Sequence, residues 1–175
     1  YRVAELVGDE MDAKRYEGGY GCVVYLSPRD YHRVHAPVAG KIAIVRSMEG
    51  DYYPVNAMGV KYVHNLFVRN RRVAIVIDTP KESGLGRVTV VMVAAMVVGR
   101  ITVSGIEARD VPFGVTHLSP PLEVKRGDEV GIFRLGSTAV VFFEPGVVSS
   151  WLVNEGPVRF GQPFAQGRGS PGRTP

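Results

Sequence analysis

Short runs of β-branched and aromatic residues, each closed off by turn formers, constrain this chain more than any other feature. They occupy residues 21–26, 41–46, 73–78, 88–98, 130–133 and 139–143. Val, Ile, Tyr and Phe suit a pleated, partly buried surface, and their spacing favours strands joined by reversals. The longest run, residues 88–98, has 11 residues including one Thr, whereas an apolar helix needs roughly 20 to cross a bilayer. It reads as a buried strand, and no transmembrane segment is expected. Gly50-Asp51, Gly127-Asp128 and Pro145-Gly146 suit the reversals. The expected class is therefore mainly β (α+β): one antiparallel, β-rich domain with few short helices.

Helix signals are brief. Residues 4–6 and 11–16 suit single turns. Ser27-Pro28-Arg29-Asp30 carries an N-cap, a first-turn Pro and an acid at the third position. This predicts about one helical turn over residues 28–33, with a strand starting near Val34. The 21 Gly and 12 Pro favour turns over long helices. At 175 residues the chain fits one domain, able to hide roughly 70% of its unfolded surface. Residues 166–175 are mostly Gly, Ser, Pro and Arg and are expected to form a disordered tail.

Charge and cysteine content narrow the partners. A net charge of +4 fits a normally solvated surface and is compatible with an anionic membrane. No basic patch is interleaved with aromatics as on an RNA-binding sheet, so nucleic acid is not an expected partner. Cys22 is the sole cysteine and cannot form an internal disulfide. The first residue is Tyr and no secretory signal follows it. The chain is thus expected to be part of a longer product.

Two segments carry candidate chemistry. In Tyr31-His-Arg-Val-His35 the histidines are three apart, a spacing that on a continuous helix would share a face and suit a metal. No Cys or further clustered His completes a ligand set, since His64 and His117 stand alone, and no metal is expected. Taken in isolation, the pair reads as two hydrogen-bonded structural histidines. Ser137, in Leu135-Gly-Ser-Thr138, taken alone reads as an ordinary turn or strand serine.

The order of the segments distinguishes them. Tyr25-Leu-Ser-Pro-Arg-Asp-Tyr-His-Arg-Val-His-Ala-Pro37 is followed about a hundred residues later by Leu135-Gly-Ser-Thr138 and an apolar run. Between and beyond them lie Asn65-Leu-Phe-Val-Arg-Asn70 with Arg72-Val73, Val93-Ala-Ala-Met-Val-Val-Gly-Arg-Ile101, Lys125-Arg-Gly-Asp-Glu-Val-Gly131 and Gly161-Gln-Pro-Phe-Ala165. Together these blocks resemble the phosphatidylserine decarboxylases, self-cleaving proenzymes that convert a serine into a pyruvoyl cofactor. The resemblance spans residues 1–165, the expected catalytic core.

The resemblance implies a role for each site residue. His35 is the base for self-cleavage, and Ser137 attacks the carbonyl of Gly136 through an N-to-O acyl shift. Cutting there separates a β chain, residues 1–136, from an α chain, residues 137–175, which remain each other's partners. The α chain then begins with a pyruvoyl group derived from Ser137, which forms a Schiff base with the substrate amine. His32 is the acid/base of decarboxylation. Arg29 and Arg33 are candidates to meet the headgroup charge, and Tyr52 and Tyr53 to lie at headgroup level.

By the same resemblance the substrate is phosphatidylserine and the product phosphatidylethanolamine. The enzyme is expected peripherally on an anionic membrane surface, either the cytoplasmic face of a bacterial inner membrane or the mitochondrial inner membrane, with a homodimer among the candidate assemblies. Other amino-acid headgroups, free amino acids and a non-catalytic lipid-binding β module are the alternatives. The family's histidine-activating aspartate is expected upstream of residue 1, as are its membrane-associating helices. The nearest lookalike of the aspartate turn, Pro37-Val-Ala-Gly40, has Ala39 at the key position, and Asp30 is too near His35 in sequence to serve. His64 stands where the family tends to have Pro, and Ala36 where Met is usual.

Overall fold

The computed structural model describes residues 1–96, 100–134 and 137–168. Helices α1 (Val3–Val7) and α2 (Glu10–Arg15) precede strands β1 (Tyr20–Leu26), β2 (Arg33–His35) and β3 (Gly40–Met48). Helices α3 (Ala57–Tyr62) and α4 (Leu66–Arg69) follow, then β4 (Arg72–Asp78), β5 (Arg87–Val93), β6 (Ile101–Val103), β7 (Gly114–Val124) and β8 (Glu129–Phe133). The last strands are β9 (Ser137–Phe143), β10 (Val148–Trp151) and β11 (Ala165–Gly167). The ladders are antiparallel. They build a six-stranded sheet in the order β1-β9-β5-β4-β3-β7, a three-stranded sheet β2-β8-β6 and the pair β10-β11. Among the described residues no helix is long and apolar enough to cross a membrane.

The large sheet is buried on both faces, which explains why its inner strands read as unbroken apolar runs. Val73, Ile75 and Ile77 of β4 face a core shared with Val34, Ile101, Val130 and Phe133 of the small sheet. Ala74 faces the opposite core, with Leu6, Val7, Tyr16, Leu66 and Phe67 from the helical side. Alternation along one strand thus feeds two cores.

Three expectations are corrected and one strand is added. The run over residues 88–98 is strand only to Val93: Ala94 still donates its N–H to the Arg71 carbonyl (2.8 Å), but its own carbonyl is taken by Asn70 Nδ2 (2.8 Å), and residues 97–98 lie outside the described residues. The helical turn expected over residues 28–33 is a non-helical reversal. Ser27 N–H donates to Asp30 Oδ2 (2.7 Å) and Asp30 N–H to the Ser27 carbonyl (2.9 Å), so local side-chain bonding wins over helix. Strand β7 lies outside the expected runs and contains Pro120 and Pro121. It lies at the sheet edge, where Pro is tolerated, and both prolines fall in the irregularity between His117 and Leu122. Finally, order runs past residue 166, because Gln166 and Gly167 pair in β11 and Arg168 N–H donates to the Val147 carbonyl (2.9 Å). Residues 169–175 of the expected tail lie outside the described residues.

A charged layer seats α2 on the sheet. Asp9 caps the helix, its Oδ1 accepting the Asp12 N–H (2.8 Å). The Asp12 carboxylate, 3% exposed, is paired with Arg46 (2.7 Å) and with Arg87. Arg87 also holds Asp78 through Nε (2.7 Å) and Nη2 (3.0 Å). Burial works against the Arg87 charge, but Asp78 and Asp12 outweigh it and raise its pKa.

Beside this layer the Tyr16 hydroxyl shares a 2.6 Å hydrogen bond with Thr89 Oγ1. Burial pushes the Tyr16 phenol up to about 12, from a usual value near 10. With the folded value raised, its contribution to stability is fully present below pH ~10 and is lost as pH rises through ~12, about 2–3 kcal/mol in all. Tyr16→Phe is therefore expected to cost about 1 kcal/mol at pH 9, through the lost bond to Thr89. By pH 12 the variant should be the more stable protein, because it has no phenol to ionise. Urea unfolding of both proteins at pH 9, 11 and 12 checks this crossing.

Candidate active site

Ser137 opens β9, the strand held between β1 and β5. It lies opposite Leu26, and its neighbour Thr138 lies opposite both Tyr25 and Val93. The side chain is fully buried, and among the described residues its Oγ has no hydrogen-bond partner; nor has Thr138 Oγ1. A buried polar group left unpaired costs about 1–3 kcal/mol, and such groups call for an explanation in their chemistry. Leu135 and Gly136, the expected cleavage glycine, lie outside the described residues.

The segment after β1 returns to the same place. Leu26 is opposite Ser137, and the His32 carbonyl accepts the Phe133 N–H (2.9 Å) at the end of β8. Residues 27–31 thus span from the partner of Ser137 to the partner of Phe133. The reversal at Ser27 and Asp30 turns the chain from one sheet to the other. The two histidines then meet different surroundings, because the backbone from residue 33 onward is extended rather than helical. His32 Nε2 is sealed from solvent without a partner among the described residues. His35 is only half-buried.

Both ring nitrogens of His35 are engaged. Nδ1 lies 2.7 Å from the Gly127 carbonyl and must donate to it; Nε2 then accepts from the Tyr31 hydroxyl at 2.8 Å. Tyr31 stacks on the imidazole with ring centroids 5.7 Å apart, and Phe160 packs at 4.3 Å. Among the described residues no hydrogen bond joins His35 to Ser137.

The four candidate substrate contacts divide into two pairs. Arg29 is exposed, and Tyr52 is 39% exposed. Arg33 is ion-paired with Glu129, whose hydrogen bond raises the guanidinium pKa. Tyr53 is half-buried beneath Arg69, which donates to its hydroxyl (2.6 Å) and lies 4.5 Å from the ring centre.

Three residues that position this end of the sheet carry no role in the sequence reading: Asn70 and Arg72 enter it only within a motif and Arg71 not at all. Asn70 is fully buried and satisfied: Nδ2 donates to the carbonyls of Tyr53 (2.7 Å) and Ala94 (2.8 Å), and Oδ1 accepts the Tyr53 N–H (2.9 Å). It ties the Tyr52-Tyr53 segment to the end of β5, beside Thr138. Arg72 donates to the carbonyls of Glu5 (2.7 Å) and Asn70 (3.2 Å), fastening α1 here, and burial lowers its pKa. Arg71, 1% exposed, pairs with Asp110 at 2.6 Å. The available signal was three consecutive polar residues directly before an apolar strand, a placement that implies specific partners.

The family model described as phosphatidylserine decarboxylase matches residues 1–166. The chain is 40% identical over 152 residues to a phosphatidylserine decarboxylase proenzyme of Anaeromyxobacter sp. (strain K), covering 83% of this chain and 52% of that protein. Proenzymes of the same name from Bordetella avium (38% over 173 residues) and Myxococcus xanthus (39% over 168 residues) match 93% of this chain and 56% and 58% of their own lengths. The chain therefore spans about half the length of the curated relatives it matches.

Proposed function

The chain belongs to the phosphatidylserine decarboxylase family, and on that premise we propose that it is the catalytic core of a self-cleaving enzyme converting phosphatidylserine to phosphatidylethanolamine and carbon dioxide. The observation that carries this reading is Ser137: fully buried, unpartnered at Oγ among the described residues, and first in a central strand. A hydroxyl kept dry and uncommitted is what an internal nucleophile needs once a base takes its proton.

The chain's own residues would act in sequence. Ser137 Oγ gives its proton to His35 and bonds to the carbonyl carbon of Gly136, while the amide C–N bond breaks and leaves an ester. Loss of the Ser137 α-proton expels the Gly136 carboxylate, and water releases ammonia from the remaining dehydroalanine. The pyruvoyl group so formed at residue 137 supplies an electron sink for the carboxylate bond that breaks in the substrate. The buried, unpartnered Ser137 fits that origin. In the arrangement described, Tyr31 holds the His35 Nε2 lone pair, so base action requires Tyr31 to release it. His32, with a buried Nε2 that has no partner among the described residues, is suited to return a proton to the substrate carbon. Arg29, Tyr52 and Arg33 are exposed candidates for the headgroup, Arg33 while paired with Glu129, and the half-buried Tyr53 would contribute from its bond to Arg69. We place the enzyme peripherally on a bacterial or mitochondrial inner membrane.

Intact mass of the full-length product is the direct test. The expected result is a fragment ending at Gly136 and a second, beginning at residue 137, with a blocked amino end. Uncut chain alone would count against the reading. Carbon dioxide release should be faster from phosphatidylserine in micelles than from free serine or aromatic amino acids, and the reverse order would overturn the substrate while leaving the cleavage chemistry intact.

A further inference from the structure

Helix α3 presents apolar side chains to solvent with little beneath them. Met58 is 67%, Val60 56% and Tyr62 72% exposed, whereas Gly59 is buried. Gly59 is the foot of the helix: a methyl there would stand 1.6 Å from the Pro54 carbonyl oxygen. Asn56 Oδ1 caps the first turn by accepting the Gly59 N–H (3.1 Å). The helix is thus fastened at one residue and one cap, and its other side chains project.

Charge around it is one-sided. Residues 52–77 contain no Asp or Glu. Lys61 and His64 are exposed beside the apolar residues, and the Lys61 ammonium lies 5.1 Å from the Tyr62 ring centre. Exposed Met, Val and Tyr beside the Lys61 ammonium, with the bordering Asp51 carboxylate taken up by Arg69, match the headgroup boundary of an anionic bilayer. The location also fits, since Asn70 joins the Tyr53 backbone, just before α3, to Ala94 at the Ser137 end of the sheet.

We propose that α3 is a contact this part of the protein makes with an anionic lipid surface, in addition to the membrane-associating helices expected upstream, with Met58, Val60 and Tyr62 entering the headgroup boundary and Lys61 meeting lipid phosphate. The proposal rests on the reading that the substrate is a membrane lipid, and it identifies a contact that brings the site to it.

The test uses the full-length protein with Cys22→Ser and Val60→Cys, labelled at residue 60 with an environment-sensitive fluorophore. The probe is vesicles of phosphatidylcholine with phosphatidylglycerol, an anionic lipid that is not the substrate. Emission should shift to the blue on adding vesicles, and raising the salt should weaken the shift. No shift overturns the proposal. A shift already present without vesicles also overturns it, because a protein segment then covers α3. In parallel, Val60→Asp with Tyr62→Asp should slow decarboxylation of vesicle phosphatidylserine about tenfold and leave turnover of a short-chain monomeric phosphatidylserine unchanged. Equal rates for variant and parent on vesicles overturn the proposal. An inactive parent instead sinks the functional reading, while the fluorophore still reports on α3.

Discussion

Ser137→Ala is expected to abolish both self-cleavage and decarboxylation and, at the same time, to make the protein more stable. The loss should be complete, since no other atom at that position can attack the preceding carbonyl. The gain follows from burial. The Ser137 hydroxyl is dehydrated and unpartnered among the described residues, so removing it relieves a penalty of about 1–3 kcal/mol and leaves only a small void. Denaturant unfolding of uncut Ser137→Ala should give a higher midpoint than an uncut reference such as the His35 variant, with an unchanged slope. Mass spectrometry should show one chain. A variant that lost stability would mean that the hydroxyl has a structural partner, and the case for a dry nucleophile would fall with it.

Separating the two histidines gives the second large effect. His32→Ala should leave processing largely intact and lower decarboxylation by about 10²–10⁴-fold, the usual worth of a placed acid–base group. His35→Ala should stop the cut. The measurement pairs gel or mass analysis of processing with carbon dioxide release from the processed protein. The structure makes this test sharper than the spacing alone, because His32 Nε2 is buried and without a partner among the described residues, whereas His35 is bonded to Tyr31 and Gly127. If His32→Ala remained uncut while His35→Ala processed normally, the two roles would be exchanged.

Much of the fold was legible because its main ladders are made of strong strand formers. The runs ending at Leu26, Asp78, Phe133 and Phe143 end there in the structure. What escaped was structure held by partners distant in sequence. β7 is an edge strand whose prolines are absorbed by an irregular stretch opposite β3, and periodicity cannot report that. The end of β5 is decided by Asn70 and Arg71, more than 20 residues earlier. The reversal at Ser27-Pro28-Arg29-Asp30 carries real helix-start residues, yet the Asp30 carboxylate turns back to Ser27 instead of capping a helix.

The site was legible in a different way. His32, His35 and Ser137 emerged from the order of motifs, not from any local pattern, and the comparisons show the family those motifs indicate. Their environments were not legible. Nothing in Tyr31-His-Arg-Val-His35 says that one ring is sealed and the other clasped by a tyrosine four residues earlier. Nor does Asn65-Leu-Phe-Val-Arg-Asn70 announce that its last amide satisfies two carbonyls and an N–H from segments on either side.

The position of β9 has a mechanical consequence. A cut before Ser137 would fall at the edge of a strand whose ladder then runs unbroken, from Leu26 to Tyr20 on one side and from Val93 to Val88 on the other. The two products would be separate molecules by covalent structure and one body by every other criterion. The smaller piece cannot peel away without stripping both of its neighbours, so it would not exchange with free copies on the timescale of catalysis. Its new terminus would be clamped as firmly as the middle of an intact strand. Maturation of this kind creates a chain end without creating a loose one.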